Sequence, residues 1–103
     1  MKDQNSRDAI IEHLEHVRNR PEMYAGEVSE RAFYAYLSGF DAACTVLGHA
    51  RSYDLYLQVC EERGWGMNAL GPQKRMREMG LSEQAIVDEL LTIEIETRRR
   101  FTP

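Results

Sequence analysis

Four groups of residues in this chain could do chemistry. The first is Glu12-His13-Leu14-Glu15-His16, where two imidazoles lie three residues apart on one side of a helix with carboxylates beside them. Zinc proteases place their histidines four apart, because that spacing stacks both rings over one face of the helix. This segment lacks that spacing, and a further ligand would have to come from the distant His49 or another carboxylate. It reads as a solvated polar face, and no metal is expected. The second group is Cys44 and Cys60. Each sits in a helical apolar stripe with no activating histidine nearby in sequence, which describes a buried free thiol rather than a nucleophile or a disulfide. No glycine-rich loop follows a strand, so neither a phosphate loop nor a dinucleotide fingerprint is present. The expectation is no catalytic residue, no cofactor and no enzyme.

The third group is basic. Arg98-Arg99-Arg100 falls at the end of a helix, where cations complement exposed carbonyls and the helix dipole. Lys74, Arg75 and Arg77, interleaved with Met76 and Met79, could instead contact phosphate or form a methionine-rich protein surface. The fourth group, Arg20-Pro21-Glu22-Met23-Tyr24-Ala25-Gly26, is the densest special feature. Pro21 stops the preceding helix, Met23 and Tyr24 are large apolar groups in a segment that must turn, and Gly26 gives a permissive backbone. The spacing predicts a connector in which Met23 and Tyr24 plug a gap between two helices. Arg20, Pro21, Met23, Tyr24, Gly26, Lys74, Arg75 and Arg77 are therefore the candidate binding residues.

The elements that must position these groups are helical. Ser6 is the expected cap of a first helix, with Asp8 in its first turn and Ile10, Leu14 and Val17 on one face beside Ile11. Ser29 caps a second from about Glu30 to Leu47, whose stripe Phe33, Leu37, Phe40, Cys44, Leu47 has nearly ideal period. Apolar character spreads round most of its circumference, so this helix is expected to be central. Ser52 opens a third helix to about Arg63, with Tyr53, Tyr56, Leu57, Val59 and Cys60 facing inward. Gly64 follows as the left-handed residue that places Trp65 back over Cys60. Residues 66–80 are the least regular, with a short helix expected from Pro72 to Met79. Ser82 caps a last helix whose stripe is Ile86, Leu90, Ile93, Thr97 and Phe101. Within it Thr92 to Thr97 alternates with period two, as an exposed strand would, but no second strand candidate exists to pair with it.

Together these give an all-α, single-domain bundle over residues 1–103, of four main helices plus one short helix. At 103 residues the chain can build one core but not two. Thirteen Lys/Arg against seventeen Asp/Glu leave a net charge of −4, and residues 1–51 carry six basic and eight acidic groups against seven and nine in the rest. Neither half is a basic arm, so nucleic acid is not the expected partner. The N-terminus is polar, with no apolar leader core, and no apolar run approaches membrane-spanning length. A cytoplasmic protein with no membrane association is expected, and the apolar second helix could leave a face over for a homodimer.

Val17-Arg18-Asn19-Arg20-Pro21-Glu22-Met23-Tyr24-Ala25-Gly26 resembles a segment near the start of the ATPase domain of DNA gyrase and its topoisomerase relatives, a helix followed by R-P-G-M-Y-I-G. Here Glu22 replaces the first glycine and Ala25 the isoleucine. Those ATPases also need an asparagine-bearing helix for magnesium, a D-x-G-x-G adenine site and a glycine-rich lid, which this sequence lacks, so no ATPase activity is expected. A resemblance spanning most of the chain is to small bacterial proteins that share R-P-x-M-Y-x-G after a first helix. They continue with an aromatic helix F-x-x-[FY]-L-x-G-[FY], a central tryptophan and a C-terminal helix. Those features read here as Arg20 to Gly26, Phe33 to Phe40, Trp65 and Glu83 to Phe101. Members are sometimes met near toxin genes, so the resemblance implies a protein-binding domain of the immunity or antitoxin type, and the acidic surface with the exposed part of the Met23-Tyr24 loop makes a basic toxin the expected partner. The second reading is a small nucleic-acid-associated regulator using Lys74, Arg75 and Arg77.

Overall fold

The computed structural model describes residues 2–66 and 71–101, with side chains from Asn5 onward. Residues 67–70, inside the stretch expected to be irregular, lie outside the described residues. Six helices and no strand form among the described residues: α1 Lys2–Asn19, α2 Glu22–Ala25, α3 Glu30–Val46, α4 Tyr53–Glu62, α5 Gln73–Glu78 and α6 Glu83–Arg100. Four are long and α5 is the expected short helix. The additional one, α2, is a single turn in the segment expected to be a plain connector.

Three serines start helices as their side chains predict. The hydroxyls of Ser29, Ser52 and Ser82 accept from the amides of Ala32, Leu55 and Ala85 at 3.1–3.2 Å, satisfying donors that have no partner inside the helix. Ser6 caps nothing, because α1 already begins at Lys2 and residues 2–5 contain no helix breaker. At the other end of α4, Gly64 has φ +89°, and the amides of Gly64 and Trp65 donate to the carbonyls of Glu61 and Cys60. That bond pair needs a left-handed residue, which only glycine adopts cheaply. It turns Trp65 onto the core, where its indole N–H donates to Glu89 at 2.8 Å.

The period-two stretch 92–97 is helical. Thr92 and Thr97 hydroxyls donate one turn back, to the carbonyls of Asp88 and Ile93, at 2.9 and 2.7 Å. The helix that contains them is also the centre of the bundle: α1, α3, α4 and α5 all pack against α6. It buries Ile86, Val87, Leu90, Leu91, Ile93 and Ile95 on several sides, each worth about 1.5–3 kcal/mol when withdrawn from water. The expectation that α3 is central is thereby corrected. α3 buries Phe33, Leu37 and Cys44, and its outward face is mostly alanine, serine and glycine, which have little apolar area to gain, with Tyr34 and Val46 left exposed.

Leu47, Tyr53 and Phe101, expected to face inward, are exposed. Leu47 and Tyr53 flank the turn from α3 into α4, where the described chain leaves them uncovered. Cys44 and Cys60 are buried and free, as their stripes predict. No helix among the described residues is long and apolar enough to cross a membrane.

Candidate functional site

The densest buried chemistry lies where α3, the residue preceding Ser52 and α6 meet. Asp41 comes from α3, Arg51 from the connection to α4, and Glu94 and Arg98 from one face of α6, a helical turn apart. Arg98 Nη2 donates to Asp41 Oδ1 at 2.7 Å and its Nη1 to the His49 carbonyl at 3.0 Å. Arg51 pairs with Glu94 and lies 3.6 Å from Asp41 Oδ2. Its guanidinium also stacks 3.9 Å from the centre of the Tyr56 ring, and that of Arg98 lies 5.9 Å from Phe40. Glu94 and Arg98 are only 4% and 5% exposed. Charges this deep persist because each has an opposite partner.

The protonation of this quartet follows from its surroundings. Burial pushes the Glu94 carboxyl up to about 7, with Arg51 opposing and Asp41 reinforcing the shift. No donor among the described residues faces Glu94 Oε2, and a hydrogen bond between the Glu94 and Asp41 carboxyls can exist only while one of them carries a proton and donates. Glu94 therefore holds its proton to higher pH than an ordinary carboxyl does. Burial likewise raises the Tyr56 phenol and the Cys60 thiol, so both stay protonated. A perturbed carboxyl of this kind is a recognised mark of acid–base sites and also of structural ion-pair networks. The adjoining cavity, bordered by Tyr34, Asp41, Arg51, Tyr56, Gln73 and Glu94, holds about 70 Å³, a size for water rather than substrate.

A second polar contact lies in an aromatic cluster. The His13 ring stacks on Phe40 with centroids 5.4 Å apart and meets Tyr24 edge-on at the same distance. Tyr36, whose phenol burial holds protonated, lies 2.9 Å from His13 Nε2 and donates to it when the neutral ring carries its proton on Nδ1. The reading of 12–16 as a solvated face is thus corrected for His13, which is half-buried, and holds for His16, which is exposed and pairs with Glu12. His13 turns inward because its position lies beside Leu14 and Val17, the residues that α1 buries.

The expected binding residues fall into two separate places. Pro21 opens α2 and, with Glu22, borders a groove of about 380 Å³ against the start of α6, while Arg20 is exposed. Met23 is 66% exposed, so it plugs nothing, because the single turn of α2 swings it outward; Tyr24 is half covered by His13. Gly26, at φ +80°, closes the turn with its amide on the Glu22 carbonyl. On α5, the consecutive Lys74 and Arg75 are exposed, while Met76 beside them is fully buried. Arg77 is held by Glu30 at the start of α3, which removes one cation from the expected phosphate-binding cluster. Arg98, Arg99 and Arg100 each pair with an acid from another helix, Asp41, Glu15 and Glu62 respectively, beyond any role at the helix dipole.

Sequence reasoning missed the quartet. A signal exists: Glu94 is a charged residue embedded in the run Ile93 to Thr97, Arg98 follows that run one helical turn on, and Asp41 is an acid in the apolar helix α3. What could not be read was that Arg51, in a turn, reaches both acids. It also underrated how far α3 is left open. Ala35, Ser38, Gly39, Ala42, Ala43 and Val46 are all exposed, giving this helix a long outward face without charge. No protein-family model, no curated protein and no solved structure matches the chain.

Proposed function

We propose that the chain is a non-enzymatic, cytoplasmic protein-binding domain of the immunity type, which docks a basic protein partner on the open face of α3. The observation that supports this reading is the uncharged face itself. It follows the helix from Ala35 to Val46, with Val46 85% exposed and Tyr34 61% exposed at its edge. Alanine, serine and glycine let a partner's backbone come close at little cost in side-chain entropy, while Tyr34 supplies the rigid aromatic area that interface cores favour. The net charge of −4 steers a basic partner and disfavours nucleic acid.

The test compares the protein with its Ala42→Arg variant as bait in an extract of the native host. A basic protein recovered in stoichiometric amount by the wild type, and lost by the equally stable variant, is the expected result. Equal recovery by both, or concentration-dependent dimerisation in place of a foreign partner, would sink the reading. The nucleic-acid alternative has its own discriminator: DNA affinity that falls steeply with salt and disappears in Lys74→Ala/Arg75→Ala.

A further inference from the structure

A second concavity shares Arg51 with the water-sized cavity. It is a cleft of about 430 Å³, in the size range that holds small ligands, formed by the early turns of α1, the α3–α4 connection and the end of α6. Its walls divide by chemistry. Ile10, Ala50 and Phe101 give apolar surface, and Arg7, Arg51 and Arg98 give guanidinium groups, with His49 between them. No acidic side chain borders it among the described residues. Arg7 donates to the Phe101 carbonyl and so ties the start of α1 to the end of α6 across the rim.

The electrostatics narrow what could enter. Asp41 and Glu94 sit behind the wall and offset the charges of Arg98 and Arg51, so no large positive excess builds up along it. One further positive charge appears there whenever Glu94 takes up its proton. The Arg98 Nε–H has no acceptor among the described residues but presents no surface to the cleft, so the guanidinium within reach of a ligand is that of Arg51, whose side chain is 25% exposed. A planar guanidinium matches a carboxylate better than it matches a cation or a neutral hydroxyl, and a wall without a large excess of charge suits a monoanion rather than a polyanion. We propose that this cleft binds a small monocarboxylate with an apolar body, its carboxylate toward Arg51 and its body against Ile10 and Phe101. The site is independent of the α3 face, and the two readings stand or fall separately.

Octanoate is a suitable probe, with octan-1-ol, octylammonium and inorganic phosphate as comparisons, followed by calorimetry and amide chemical shifts on the intact protein. A charge-assisted hydrogen bond predicts that octanoate binds one-to-one and about tenfold or more tighter than octan-1-ol, with octylammonium silent. Shifts should concentrate at Ile10, His49, Ala50 and Phe101. Ala50→Trp, placed on an exposed connection, should abolish binding while the melting temperature stays put. Octan-1-ol binding as well as octanoate, phosphate binding as well as octanoate, or undiminished octanoate binding by a folded Ala50→Trp protein would each overturn the proposal.

Discussion

α3 and α6 are nearly equal in length, at 17 and 18 residues, and the protein buries the more charged of the two. α3 carries Glu30, Arg31 and Asp41 as its only charges. α6 carries eight, yet lies at the centre of the bundle. The difference teaches that mean polarity does not choose the central helix. What α6 has is large aliphatic side chains all round its axis, so every neighbour gains area by packing on it. Its charges cost little because other parts of the chain supply partners: Arg63 and Trp65 at the end of α4 for Glu89, Arg51 in the α3–α4 connection for Glu94, and Asp41 of α3 for Arg98. α3 has the opposite endowment. Apart from Tyr34 and Val46 its uncharged outward residues are small, so exposure forfeits little.

That contrast can be broken first at the quartet. Arg98→Met should destabilise the fold by about 3–5 kcal/mol in urea titration, because it strands Asp41 beside a buried carboxyl. Adding Asp41→Asn should recover part of the loss, and failure of any recovery would show that Arg98 acts by packing alone. Next, Ile93→Ala on α6 should cost about 2–4 kcal/mol, whereas Val46→Ala on α3 should stay within about 0.5 kcal/mol. Equal losses would mean that α3's face is covered in solution.

A smaller effect should appear with pH. In the unfolded chain Glu94 titrates in the ordinary carboxylate range, and in the fold near 7. Between those values the unfolded chain has released a proton that the folded one keeps. This contribution is therefore full below the ordinary range and is lost as pH rises through about 7. Glu89 works the other way, since Arg63 and Trp65 hold its carboxyl low and its contribution is lost in acid. The clean observable is the difference between wild type and Glu94→Gln, which should fall as pH rises from about 5 to about 7 and level off above that. The smallest effect probes α3 alone. A Cβ at exposed Gly39 meets nothing, so Gly39→Ala should stabilise the fold by about 0.5–1 kcal/mol through helix propensity. If the face docks a partner closely, the same change should weaken that association.

Much of the architecture is legible from residue types. Ser29, Ser52 and Ser82 announce helix starts through their hydroxyls, Pro21 announces a stop through its missing N–H, and Gly64 announces a left-handed closure before Trp65. These are local effects, decided within four or five residues of chain. The candidate site is far less legible. His13 reads as solvated and Met23 as a plug, and each lies on the other side of the surface, because the cover over a helix position is decided by which helix lies across it.

By itself, then, the sequence determined an all-α bundle, the boundaries of its longer helices after the first to within a turn, and two free buried thiols. All of these rest on periodicity and on backbone hydrogen bonding within a single element. Only the tertiary structure decided that α6 rather than α3 is central, and that Asp41, Arg51, Glu94 and Arg98 meet. It also decided that Arg77 is taken up by Glu30, and that a cleft lined by arginines and apolar groups opens beside the quartet. Those outcomes depend on pairings across 43 to 57 residues of chain, such as Arg51 with Glu94 and Asp41 with Arg98. Such distances carry no spacing rule, because the energy of an ion pair depends on burial and approach, which the packing of separate helices sets.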